Sequence, residues 1–163
     1  MSRRFGVKGI LAAVLLMAQA SASWAKDLSG LKEKLLAARQ KIESVAKTES
    51  KDKRKTPPSF EFGELFDEAY DALLQESKQL LKEAKTSDAY RRRMKEFVEV
   101  SALAVYLEPG QVSVEIAYGL SKSKKSFQRS AFNDALKSLD PELKIRLTEA
   151  LRIEERGRRE GNG

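Results

Sequence analysis

Three consecutive arginines, Arg91, Arg92 and Arg93 in the stretch YRRRM, are the most chemically specific feature of this chain. A guanidinium is a planar fork of donors that matches the oxygens of carboxylates and phosphates. Three in a row sweep about 200° of a helix, so one or two must point away from any packed face. The trio is therefore the candidate contact for an anionic ligand or partner. The competing reading makes it the counter-charge of neighbouring Glu and Asp. The arginines fall near the start of a helix, where the helix dipole does not favour cations. Three other basic groups punctuate the chain: Lys51/Lys53/Arg54/Lys55, Lys122/Lys124/Lys125 and Arg156/Arg158/Arg159. Each lies in a linker or at a helix end, where ordinary solvation explains it.

Other chemistry is narrowed by what is missing. The chain has no histidine and no cysteine. Ser-His-Asp and Cys-His catalysis are therefore impossible. Zinc and copper sites, which depend on imidazole and thiolate, are disfavoured, and no metal or cofactor is implied. Acid–base work would fall to carboxylates, Lys or Tyr, and the sequence pairs none of them. Glu99 and Glu115 stand in apolar stretches and read as exposed or paired carboxylates. No catalytic residue is assigned, and a non-enzymatic role is favoured.

The first 25 residues set the compartment. Arg3, Arg4 and Lys8 form a basic opening, and Ile10 to Ala18 is an apolar run. That run has the length of a signal-peptide core and about half the roughly 20 residues a membrane-spanning helix needs. Small residues at Ser23 and Ala25, or at Ala20 and Ala22, fit the cleavage rule, so the mature chain is expected to begin at Lys26 (or Ser23) and to be periplasmic or secreted. It would then keep no transmembrane helix. Ser2, Arg3, Arg4 and Lys8 also resemble a twin-arginine export signal in register, with Val7 as its apolar position; Gly6 stands where that pattern has Phe. The residues removed carry three positive charges, so 31 Lys+Arg against 24 Asp+Glu becomes 28 against 24. The remaining 138 residues suit one domain, with a mildly basic surface dense in both signs.

The elements that must position these side chains read as helices. Leu28, Leu31, Leu35, Ala38, Ile42 and Val45 step by three and four, which predicts an amphipathic helix over 26–48. Its apolar face, Leu28, Leu31, Leu35, Ile42 and Val45, either docks on its own domain or meets a partner helix, including a second copy of the chain. Residues 49–59, charged and ending in Pro57-Pro58, predict a flexible linker that leaves the first helix semi-detached. A helical domain follows over 60–155, with helices near 60–85, 86–107, 126–139 and 141–155, and a flexible tail over 156–163. Thr86, Ser87 and Asp88 are cap candidates, and Asp140-Pro141-Glu142 is a helix restart. Glu108-Pro109-Gly110-Gln111 predicts a type II turn. The segment after it, QVSVEIAYGL, fits a helix with Val112, Ile116 and Leu120 on one face; alternation also allows a β-hairpin around 101–118.

The fold expected is thus all-α, an irregular bundle of four to five helices plus the semi-detached first helix, the α+β hairpin form being the alternative. Glu115 to Arg129 resembles part of a DNA-reading helix-turn-helix, but Gly119 follows Ala117 after one residue instead of three, which leaves the first helix too short. With an export signal as well, nucleic acid is disfavoured as a partner. The function expected is that of an exported protein acting by protein–protein contacts in the cell envelope, as adaptor, assembly factor or chaperone. The alternative is a small secreted enzyme, or a receptor, that holds an anionic ligand with Arg91–Arg93.

Overall fold

The computed structural model of the chain describes residues 28–45, 62–108 and 113–161. Among them are six helices and no strand: α1 over 28–45, α2 Gly63–Lys82, α3 Asp88–Leu107, α4 Ser113–Ser121, α5 Ser126–Lys137 and α6 Pro141–Glu160. The all-α bundle agrees with the helical periodicity. The hairpin alternative is corrected, because α4 covers the alternating stretch. Val114, Ile116, Ala117 and Leu120 are its buried residues, so the alternation was one helix face read at the wrong period. The signal segment 1–25, the linker 49–59 and the turn at 109–111 lie outside the described residues.

Caps set the helix starts. Ser87 Oγ accepts from Tyr90 N at 3.0 Å and starts α3. Asp140 Oδ1 accepts from the Glu142 and Leu143 amides at 3.1 and 3.3 Å, and Pro141 follows at the first helical position of α6. The α6 helix continues to Glu160, past the 155 expected. Arg158 and Arg159 reach back one turn to Glu154 and Glu155, and cations at a helix C-terminus are favoured by the dipole.

The core is built around α3, which packs against α2, α4, α5 and α6. Phe97, Val98, Val100, Ser101, Ala102, Leu103, Ala104 and Val105 are all buried, so most of this helix's circumference is covered. Ser101 tolerates that site because its hydroxyl donates to Phe97 O at 2.8 Å. Leu73 and Leu80 of α2, Phe132 of α5 and Leu143 and Leu147 of α6 complete the cluster.

The first helix belongs to this same core. Leu28, Leu31 and Leu35 are 3, 1 and 0 % exposed and join the central cluster. The expectation of a semi-detached helix is thereby corrected. Around the leucines, Lys32 pairs with Glu99 of α3 and Lys34 with Glu68 of α2 at 2.7 Å. At the far end, Arg39 stacks on Tyr106 and pairs with Glu142 at 3.1 Å. Apolar burial fixes the helix, and charges on both flanks fix its rotation.

Candidate functional site

Short loops reverse the chain after α2 and after α4, so α2, α4 and α6 end where α3 and α5 begin. Side chains lock this end together. Lys125 Nζ donates to the carbonyls of Leu81 and Glu83 at 3.0 and 2.7 Å, capping α2. Gln128, fully buried, donates to the Leu80 and Leu81 carbonyls at 3.0 and 3.2 Å, and its own carbonyl accepts from Ser123 Oγ. Tyr90 meets Phe127 edge to face at 5.5 Å. Lys122 pairs with Glu155 at 3.0 Å, and the Arg158 guanidinium lies 5.0 Å from the centre of the Tyr118 ring.

Three of the four basic groups in the sequence thus converge on one pole. Segments 82–93, 122–129 and 154–160 hold twelve Lys/Arg against five Asp/Glu, a balance of +7. The described residues total 22 Lys/Arg against 20 Asp/Glu, so the rest hold ten against fifteen, a balance of −5. The described part of the bundle is electrically polar although its own total is only +2. The fourth group, Lys51–Lys55, lies outside the described residues.

The arginine trio divides within this pole. Arg93 turns inward: its Nε donates to Glu76 at 2.7 Å and its Nη1 to Glu83 at 3.3 Å. Burial works against its charge, yet the two carboxylates outweigh burial and hold its pKa above the ordinary value. Arg93 is therefore a counter-charge. Arg91 is exposed, reaches Thr86 Oγ1 at 3.4 Å and lines a shallow groove with Lys95, Asp134 and Ser138. Arg92 is exposed and pairs with no acid among the described residues. Lys82, Lys85, Lys124 and Arg156 are likewise exposed without an ion pair there. These unpaired cations sit on three different connections and helix ends instead of converging in a pocket. The groove beside Arg91 has a volume of about 190 Å³, below the 300 Å³ or so of a small-molecule site, and Asp134 would repel an anion there.

Two other features bear on chemistry. The Tyr90 hydroxyl is buried with no hydrogen-bond partner among the described residues, and burial pushes its pKa up to about 12. Among the described residues no group of acids is arranged to hold a metal ion. The face expected to meet a partner helix is divided too: Leu28, Leu31 and Leu35 are covered by this chain's own core, while Ile42 and Val45 are half-buried.

The sequence reading missed Glu76, which is 6 % exposed on α2. Its position was legible, since Leu73, Glu76, Ser77 and Leu80 follow the three-and-four spacing of the inner face. Also missed was Tyr106, whose ring carries the guanidinium groups of Arg39 at 4.6 Å and Arg146 at 4.5 Å, both of which also contact Glu142. That junction ties α1 to α3 and α6, and no local pattern announces it. No family model matches the chain, and neither the curated proteins nor the solved structures contain a match.

Proposed function

We propose that this chain is an exported, non-enzymatic binding protein of the cell envelope whose basic pole is the contact surface for an anionic partner. The observation that carries the reading is the split of charge, +7 at one end against −5 over the rest of the described residues. Such a distribution orients the molecule before contact and raises the rate of encounter with a polyanion. The adaptor, assembly-factor and chaperone roles all use a contact of this kind. An enzyme or receptor for a small anion needs convergent donors in a concave site, and the arrangement of Arg91, Arg92 and Arg93 supports that reading less well. Export rests on the opening SRRFGVK and the apolar run behind it.

Two measurements test this. The exported chain is expected to begin at Lys26 or Ser23 by intact-mass analysis; an uncut N-terminus in the exported fraction contradicts the export reading. Retention in an envelope fraction is expected to fall as salt rises past physiological strength, where the screening length drops below about 8 Å. Charge reversal of Arg92 and Lys124 is expected to abolish retention at low salt, while the same reversal of Lys137 and Lys144 leaves it intact. Equal retention of both variants would refute the pole as the contact surface.

A further inference from the structure

We infer that the partner of the basic pole is an anionic phospholipid surface, on which the bundle sits peripherally. This rests on the reading of the pole as a contact surface and names what it contacts. The first argument is distribution. Arg92, Lys85, Lys124 and Arg156 come from the start of α3, the α2–α3 loop, the α4–α5 loop and the end of α6, and each is exposed without an ion pair among the described residues. Cations spread over separate elements match a lattice of phosphates better than one compact anion.

The second argument is cost. Near a helix C-terminus the dipole stabilises a cation, which accounts for Arg158 and Arg159. At the start of α3 it does the reverse, and Arg92 makes no ion pair among the described residues to compensate, Asp88 and Glu96 standing one turn to either side of it. An external anion supplies what the fold does not. The third argument is apolar. Among the described residues three large apolar side chains are exposed: Leu81 at the end of α2 (40 %) and Ile153 in the distal half of α6 (68 %) lie by the basic pole, while Ile145 (59 %) lies near the start of α6, away from it. Leu81 and Ile153 flank the basic segments singly, as side chains that dip into the headgroup region do. An acidic protein partner would instead want a contiguous apolar centre within the charged rim, and two isolated side chains do not make one. No described helix is long and apolar enough to cross a membrane, so attachment through these residues is to the surface.

The test is sedimentation of the chain beginning at Lys26, the form expected after export, with two kinds of vesicle: phosphatidylcholine alone, and phosphatidylcholine mixed with phosphatidylglycerol. Each basic side chain near an anionic surface contributes about five-fold in binding. Arg92→Ala with Lys124→Ala is expected to weaken binding to the mixed vesicles roughly 25-fold. Lys137→Ala with Lys144→Ala is expected to leave it unchanged, and the difference is expected to shrink as salt rises. Equal binding to both kinds of vesicle, or equal loss in both double variants, overturns the inference. Failure to bind mixed vesicles while polyglutamate still binds, with the same dependence on Arg92 and Lys124, overturns the lipid partner and leaves the basic pole standing. Failure with both probes overturns the two together.

Discussion

Single side chains in this protein take their roles from what they face. Arg92 and Arg93 are adjacent, yet one is a solvent cation and the other closes an ion pair with a buried acid. Glu96 shows the same dependence. It faces Ser29 and Lys32 of α1, Glu76 of α2 and Glu99 of its own helix, and partial burial, chiefly, raises its pKa above 4.5 despite Ser29 and Lys32. The native state therefore holds this proton more tightly than the unfolded chain does. Stability contributed by the site is present below the ordinary glutamate range and is lost as pH rises through the raised value. Glu96→Gln is thus expected to stabilise the protein at neutral pH, by less than about 1 kcal/mol because the site is only partly buried and solvent still screens it. Urea unfolding at several pH values checks this: the gain should vanish below pH 4.5. A gain that persists there would mean that side-chain packing, not titration, is responsible.

Helices are the level at which the sequence was most readable. The three-and-four spacing located five of the six, the α4 stretch also reading as alternation, and Ser87 and Asp140 marked two starts, because capping and amphipathic periodicity are local. Placement was less readable. Whether the face of α1 docks on its own chain depends on contacts such as Arg39 with Glu142, 103 residues apart, which no local pattern encodes. The convergence of three basic groups was hidden for the same reason, since topology makes it and composition does not. Because α1 is core, Leu35→Ala is expected to cost about 2–5 kcal/mol, as buried leucines do. Deleting residues 26–48 is expected to abolish cooperative thermal melting. A deleted chain that melts as sharply as the full one would show that α1 is dispensable.

At the scale of the described bundle, the net charge is positive at one end and negative over the rest. Alternating charge on helix faces would have produced a mixed surface; instead, antiparallel connections gather lysines and arginines where α2, α4 and α6 end and α3 and α5 begin. In the proposed function the basic end is the binding end, and the acidic remainder would then be turned away from an anionic surface. The most direct test is site-specific photocrosslinking in the native cell. A crosslinker replaces Ala84, exposed in the α2–α3 loop at the basic pole, or Glu115, exposed at the start of α4 at the other end. Adducts from position 84 and none from position 115 are the expected result. Adducts from 115 alone, or equally from both, would contradict the proposal that the basic pole is the surface through which this protein works.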